Sequence, residues 1–451
     1  ATAHFRLGTL YRAQRHHNTA IDHLRLAVAS EPENITIRVS LAHALVQVGA
    51  NGEAEQYLQA LLALEPGNVE VQLLTGYLRA AQGRISESIE ASLKACSLAP
   101  NNISAVSNVL FASLYSDNHT PEQITELHRE LSQKCTVSAD MAFPATTVRR
   151  EGRLRIAYLS PDLRSHPVAF FLEPILANHD KTQFEVFAYA LLPAEDSVSQ
   201  RLRGHVDHWR RCHALNDDQL GKLIQEDGID LLIDLAGHTA YNRASMLSRR
   251  PAPVQAVYLG YPCTTGLPGI DCLIGDDRLT PASEAALYSE RLAPLSEYGF
   301  LTYQPQPEVP EVSVLPAQRA GHISFGSFNN LSKLSGTTVN LWARLLKAVP
   351  GSRLILKAQG LGDAATRKRI KGLFSVHGIA AERLELLGPT TPHSRFMAEY
   401  HRVDIGLDPY PYNGGTTTCD ALWMGVPVIS LKGRHFYSRM GASLLHSVGL
   451  D

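Results

Sequence analysis

Four short segments of this chain group residues whose types suit work on a phosphorylated sugar. The richest is Asp408–Met424, reading DPYPYNGGTTTCDALWM, which follows the apolar run Val403–Leu407. Asn413-Gly414-Gly415 lets the backbone turn tightly. Thr416, Thr417 and Thr418 then open a helix. The N–H groups and positive dipole end at a helix start attract phosphate, and threonine hydroxyls add donors. One turn on, Asp420 is placed to reach a sugar hydroxyl. A capped helix needs a single such residue, so three consecutive threonines point to an anion site.

Ser327–Lys333, reading SFNNLSK, supplies Lys333, which can balance phosphate charge. The chain contains no D-x-D triplet of the kind that holds a metal under a diphosphate. A departing diphosphate is then neutralised by a lysine and a helix dipole. Ser160–Phe171, reading SPDLRSHPVAFF, sets His166 before Pro167, where it can relay or donate a proton. Glu195 and Asp196 add carboxylates at a neighbouring strand end. Arg250–Pro262, reading RPAPVQAVYLGYP, ends in the turn Gly260-Tyr261-Pro262, which brings backbone close to a ligand.

These segments need a scaffold, and the chain alternates in a way that supplies one. From Arg153 onward, short β-branched runs alternate with amphipathic stretches. Strands are expected at 154–159, 184–191, 229–235 and 254–259, with helices at 168–178 and 217–226. After a stretch rich in proline (Pro305, Pro307, Pro310, Pro316) the alternation resumes. Strands are expected there at 322–328, 352–357, 384–387, 403–407 and 427–431, with helices at 337–348, 364–375, 417–424 and 438–447. Apolar strands alternating with helices read as parallel, doubly wound sheets. Two such lobes in sequence imply a cleft, with ligands at the carboxyl ends of the strands.

The first third is different. Pro32, Pro66 and Pro100 recur at intervals of 34 residues in the phrases EPEN, EPGN and APNN. Reading back from each proline gives small residues at fixed positions, as in Gly8 and Ala20, Ala42 and Ala54, and Gly76. That is the two-helix tetratricopeptide unit. A fourth, looser unit starts near Ile103. Such arrays bind extended peptides or proteins on a concave face, but can also serve as a spacer or a dimer surface. Asn34, Asn68 and Asn102 recur in phase. They can hydrogen-bond a peptide backbone, and turn chemistry is the preferred reading because they follow the helix terminator.

Composition narrows the classes further. With 42 Lys+Arg against 44 Asp+Glu over 451 residues, the chain lacks the basic excess needed to hold nucleic acid or an anionic membrane by bulk charge. No apolar run approaches the roughly 20 residues that span a bilayer, and no signal core follows a charged start. The six cysteines lie far apart with no C-x-x-C pair. Neither a disulfide framework nor a zinc site is expected, and a reducing cytoplasm is. Ala1 in place of Met suggests a trimmed chain. The domain plan is repeats at 1–135, a linker at 136–152, an N-terminal Rossmann-like lobe at 153–303, a Pro-rich linker at 304–321 and a C-terminal lobe at 322–451.

Taken together and in this order, the repeats and the segments SPDLRSHP, RPAPVQAVYLGYP, SFNNLSK and LDPYPYNGGTTTCDALWMGVPVISLKG resemble the protein O-linked N-acetylglucosaminyltransferases. The resemblance implies an all-α tetratricopeptide superhelix followed by two Rossmann-like α/β lobes of GT-B type. It implies an inverting, metal-independent enzyme that uses no cofactor. Such an enzyme moves N-acetylglucosamine from UDP-N-acetylglucosamine to serine or threonine of intracellular proteins held by the repeats. By this resemblance Lys333 is the diphosphate lysine and Asn330 a neighbouring amide. Thr416 and Thr417 bind phosphate, beside Gly415, and Asp420 binds ribose. Gly260, Tyr261 and Pro262 form the turn near the sugar. Pro389-Thr390-Thr391-Pro392 contacts uracil through the backbone.

His166 matches a histidine suggested as base or positioning group, and Asp196 lies near another proposed base. The proton acceptor stays open between these two and a phosphate of the donor. The long insertion of animal members is missing. Gly415 and Phe396 stand where animal members have histidines, and the family usually continues beyond the position of Asp451. Plant relatives of this architecture transfer fucose, so a GDP-fucose-dependent transferase is one alternative. A repeat scaffold with a catalytically dead nucleotide fold is the other.

Overall fold

The computed structural model describes residues 1–14, 16–136, 141–148, 151–295, 299–305 and 308–450. Parts of the expected linkers (137–140, 149–150 and 306–307) and Asp451 lie outside the described residues.

Among the described residues the repeats form three packed helix pairs, α1 (Thr2–Ala13) with α2 (His17–Ser30), α3 (Ile35–Val48) with α4 (Asn51–Leu64) and α5 (Val69–Ala81) with α6 (Ile85–Leu98), followed by α7 (Ile103–Ser113) and α8 (Pro121–Ser132). The small residues sit where the helices cross. A Cβ on Gly8 would lie 2.6 Å from Leu24, and one on Gly76 would lie 2.6 Å from the Ser92 hydroxyl. Leu24, Leu41, Leu45, Leu58, Leu61 and Leu78 fill the seam and are all but inaccessible to solvent. The three in-phase asparagines are helix caps. Asn34, Asn68 and Asn102 accept the N–H of Ile37, Val71 and Ala105 at 3.3, 3.2 and 3.0 Å. This satisfies a helix-start donor in each repeat, so turn chemistry accounts for their spacing.

The first α/β region carries β1 (Leu154–Ser160), α9 (Pro167–Ala177), β2 (Phe184–Ala190), α10 (Ser197–His205), β3 (His208–Arg211), α11 (Asp217–Glu226), β4 (Leu231–Asp234), α12 (Ala244–Ser248), β5 (Val254–Val257), β6 (Cys272–Gly275) and β7 (Arg291–Pro294). Among the described residues the strands form one parallel sheet in the order β3-β2-β1-β4-β5-β6-β7. The second region carries α13 (Pro316–Ala320), β8 (Ser324–Ser327), α14 (Gly336–Ala348), β9 (Arg353–Lys357), α15 (Ala364–Val376), β10 (Leu384–Leu387), α16 (His393–Ala398), β11 (Ile405–Leu407), α17 (Thr416–Trp423), β12 (Val428–Ile429) and α18 (Met440–Ser447). Its sheet is also parallel, in the order β10-β9-β8-β11-β12. Both orders reverse direction at one point, between β1 and β4 and between β8 and β11. Strands β3, β6 and β7 fall outside the expected strand ranges. Strand β3 is a polar edge strand, His208-Trp209-Arg210-Arg211, and β6 and β7 are four residues each.

The chain forms two compact units, each assembled from separated stretches. One comprises Ala1–Pro100, Ala112–Asn118 and Gln306–Leu431; the other comprises Asn101–Phe111, His119–Pro305 and Lys432–Asp451. The repeats are thus divided between the units, although they are continuous in sequence. In the first, the Asp363 carboxylate accepts the Gly52 N–H at 3.2 Å and the Gln359 amide donates to the Gln47 carbonyl at 2.5 Å. In the second, α18 follows the last strand in sequence but joins the seven-stranded unit. There the Ser443 hydroxyl donates to Asp276 at 2.5 Å and the Phe300 and Phe436 rings meet edge to face. The proline-rich stretch is also more than a connector. Val309 packs on the core of the five-stranded unit, and Asp404 accepts the Ala317 N–H at 2.7 Å.

Candidate active site

In the five-stranded unit the topological switch lies between β8 and β11, which is where ligands bind in open α/β sheets. The loop after β8 carries Asn329, Asn330 and Lys333; the loop after β11 carries Asp408 to Gly415 and leads into α17. These loops meet. Lys333 Nζ donates to the Asn413 carbonyl at 2.8 Å and to Asn329 Oδ1 at 3.2 Å. Thr417 donates to the same Asn329 oxygen at 2.9 Å. The lysine, the amide and the first turn of α17 therefore share one network. The Lys333 ammonium also lies 4.5 Å from the centre of the Tyr412 ring, a cation–π distance.

The electrostatics of this corner are set by burial. Loss of water pushes the Lys333 ammonium down to about 8, against the opposing pull of Asp408. Burial pushes the Asp408 carboxyl up to about 6, although Ser430 and the Gly414 N–H both donate to it. Gly414 has no room for a side chain, since a Cβ would meet Thr418 Oγ1 at 2.5 Å and Asp408 at 2.8 Å. Gly415 precedes α17 and supplies no side-chain cap, and space is open where its Cβ would be. The start of α17 thus presents backbone N–H groups without a competing cap. Asp420 is buried one turn in. Asn330 opens the short turn that ends at Lys333, and its own carbonyl accepts the Lys333 N–H at 3.0 Å.

A residue the sequence reading missed lies at the ends of β9 and β10. Lys357 closes the apolar strand Arg353–Lys357 and its side chain is 3% exposed. Its Nζ donates to the Gly388 carbonyl at 2.8 Å and to Thr390 Oγ1 at 2.5 Å, with Glu399 at 4.0 Å. It thereby holds the backbone strip that contains Thr390 and Thr391. Burial lowers its pKa. A lysine ending an apolar strand at a sheet's ligand edge was the available signal, because lysine is almost never buried without a partner. Phe396 packs against Phe328 and Tyr400.

The seven-stranded unit holds the remaining candidates. His166 caps α9: its Nδ1 accepts the Val168 N–H at 3.3 Å, which leaves the ring proton on Nε2, 3.6 Å from Asp162. Asp196 caps α10 and braces the loop that carries His166. Its Oδ1 accepts the Ser199 N–H at 2.9 Å and its Oδ2 the Ser165 N–H at 2.8 Å. Burial alone would raise this carboxyl, but those N–H donors hold it below the ordinary aspartate value. Glu195 is tied to Arg211 and to the Trp209 indole.

The turn after β5 packs on the end of β4. A Cβ on Gly260 would lie 1.8 Å from the Leu235 carbonyl. The Tyr261 side chain faces away from solvent and its hydroxyl pairs with His128 Nε2 of α8 at 2.5 Å, so the side chain is engaged within the protein. Pro262 follows, also buried. Within the units the candidates therefore fall into two sets: Lys333, Asn330, Thr390, Thr391, Gly415, Thr416, Thr417 and Asp420 in one, His166, Asp196 and Gly260–Pro262 in the other. Among the described residues no three of His, Cys, Asp and Glu converge as metal ligands.

The profile of glycosyl transferase family 41 matches residues 108–306 and 314–451, and a tetratricopeptide repeat profile matches 11–76. A curated relative from Petunia hybrida, "Probable UDP-N-acetylglucosamine--peptide N-acetylglucosaminyltransferase SPINDLY", is 37% identical over 362 residues, which is 78% of this chain and 38% of that protein. The SEC protein of Arabidopsis thaliana, described as a probable transferase of the same type, is 31% identical over 344 residues, 72% of this chain and 35% of that one. The chain thus spans less than two fifths of the length of these two relatives. Among solved structures, a lysine-to-methionine mutant of the Thermobaculum terrenum O-GlcNAc transferase superimposes with a TM-score of 0.93 at 34% identity, covering 100% of this chain and 85% of that one. With repeats, parallel α/β regions, switch-point loops and a family profile that spans most of its length, the chain belongs to glycosyl transferase family 41.

Proposed function

We propose that this chain is an inverting, metal-independent glycosyltransferase that moves N-acetylglucosamine from UDP-N-acetylglucosamine to serine or threonine hydroxyls of cytoplasmic proteins. The observation that carries the reading is the junction of Lys333, Asn329 and Thr417 at the start of α17. A cation and a helix N-terminus together suit a diphosphate. As the glycosidic bond to UDP breaks, negative charge grows on the leaving phosphate, and stabilising it is the main task of these groups. The strip held by Lys357 takes the nucleobase, and Asp420 is assigned to the ribose. The repeats present the acceptor protein.

The acceptor hydroxyl must lose a proton late in the reaction. The acceptor atom of His166 already caps α9 and both oxygens of Asp196 already receive N–H donors. This favours a phosphate oxygen of the donor as the proton's destination, with His166 and Asp196 as positioning groups. Lys333→Ala is expected to lower turnover by about 10²–10³-fold, the loss typical of a single electrostatic donor. Normal UDP release by that variant would remove the assigned role. Transfer is expected to persist in excess EDTA. Thermal stabilisation by GDP in place of UDP would favour the fucosyl alternative.

A further inference from the structure

The segment 112–118, which runs from the end of α7 toward α8, touches the phosphate-site region at three points within its compact unit. The Tyr115 ring stacks on Tyr412 with centroids 4.7 Å apart and planes 28° from parallel. The Tyr115 hydroxyl is hydrogen-bonded to the side chain of Ser332, the residue before Lys333. Asp117 Oδ2 accepts the Thr337 N–H at 2.8 Å, at the start of the helix that follows Lys333. Tyr412 in turn lies beneath the Lys333 ammonium. Lys333 is therefore bracketed in sequence and underlain in space by groups that this one segment holds.

We propose that Tyr412, braced by Tyr115, is a positioning residue whose ring, held under Lys333, keeps the ammonium charged where the diphosphate binds. The inference rests on the reading of Lys333 as the diphosphate residue. Its physics is simple. An aromatic face stabilises a cation but not a neutral amine, and more so where water is scarce. A free tyrosine side chain in a loop would lose rotamer entropy on being held under the lysine; stacking on Tyr115, itself buried in the repeat end, removes that cost. Asp408 is the charged group that acts on Lys333 beside the ring. Asn329, the Asn413 carbonyl and Thr417 do not titrate. The Tyr115 phenol is pushed above its ordinary value by burial and stays neutral.

The test is UDP affinity by calorimetry from pH 6.5 to 9.5, which needs no turnover. In the wild type, affinity falls as pH rises past the point where Lys333 loses its proton. Tyr412→Leu is expected to move that alkaline limb to lower pH by about half a unit, the equivalent of a cation–π contact of modest strength. Affinity at pH 6.5, where the lysine is charged in either protein, stays within about twofold. Tyr412→Phe, which keeps the ring, returns the limb to the wild-type position. Tyr115→Leu shifts it in the same direction as Tyr412→Leu, and Tyr115→Phe does not. A limb at the wild-type pH in a Tyr412→Leu protein with normal melting temperature overturns the inference, even if affinity drops uniformly. A wild-type protein that binds no UDP at any pH overturns the reading of Lys333 and the inference with it.

Discussion

A buried lysine that must be charged to work has a narrow pH range. Lys333 loses water on burial and titrates near 8, so the fraction of free protein carrying the cation falls as pH rises through that value. We expect kcat/KM to decline above about pH 8, with the limb moving to higher pH in kcat, because the bound diphosphate favours the ammonium. A profile flat to pH 9.5 would contradict this. Asp196 gives the second expectation at this scale. As a general base, its removal would lower kcat and leave the fold alone. As the cap of α10 and brace of Ser165, Asp196→Ala should lose about 1–2 kcal/mol of stability together with activity. Urea unfolding of the variant beside its kcat separates the two. Asp196→Asn should recover part of both, since an amide oxygen can still accept one of the N–H groups.

At the scale of elements, the two glycine turns predict opposite responses to added bulk. Gly260→Ala pushes a methyl onto the Leu235 carbonyl at the end of β4, and that atom belongs to a central strand that cannot give way. The turn must move instead. A stability loss of about 1–3 kcal/mol is expected, together with a raised KM for the donor sugar. Gly415 lies before α17 with open space where a Cβ would project. A histidine there should fold normally and alter nucleotide affinity, because it adds a side chain at the helix start. Melting curves and UDP titrations of the two variants check both outcomes, and equal melting losses would refute the contrast. The asparagine caps show how the same element logic repeats through the array: one cap per unit, at the same phase, satisfying the first donors of α3, α5 and α7.

At the scale of the molecule, the seven-stranded unit encloses three neutral histidines. Burial lowers His238 to about 4 and His435 to about 3, and it lowers His128 well below the ordinary histidine value. All three sit in hydrogen-bonded networks, as when His238 Nε2 donates to the Thr265 carbonyl at 2.7 Å. Below about pH 6.5 the unfolded chain takes up protons at these sites and the folded chain does not. Stability therefore falls as pH drops from about 6.5 toward the folded values, by about 2 kcal/mol at pH 5 for His238 and for His435, with His128 acting in the same direction. Asp234 works in the opposite sense: burial raises it to about 7, so the folded state binds its proton first. For these four groups the net uptake on unfolding rises to about two protons at pH 5. Tm is expected to fall steadily from pH 7 to 5, and His238→Asn should flatten the slope. An unchanged slope in that variant would show that His238 is not a source of the acid sensitivity.

Much of this was legible in the residues themselves. A proline every 34 residues with small residues in phase announces paired helices, because helix crossing distance depends on side-chain size within a few neighbouring positions. Apolar strands alternating with amphipathic helices announce parallel sheets, and NGGTTT announces a tight turn into a helix, since both signals are local. Three things were decided only by tertiary structure. Strand β3 is held by pairing at a sheet edge and not by its own hydrophobicity, and β6 and β7, four residues each, gain their place by extending the other side of the sheet. Segment 112–118 and α18 join units other than those of their sequence neighbours, because burial depends on which surfaces meet in space. And the partners of each candidate came from far along the chain: Tyr115 for Tyr412, His128 for Tyr261, Gly388 for Lys357. A sequence states which groups are present and how each short segment will coil; which of them lose water together, and so which change their charge and their aim, is settled when the chain folds.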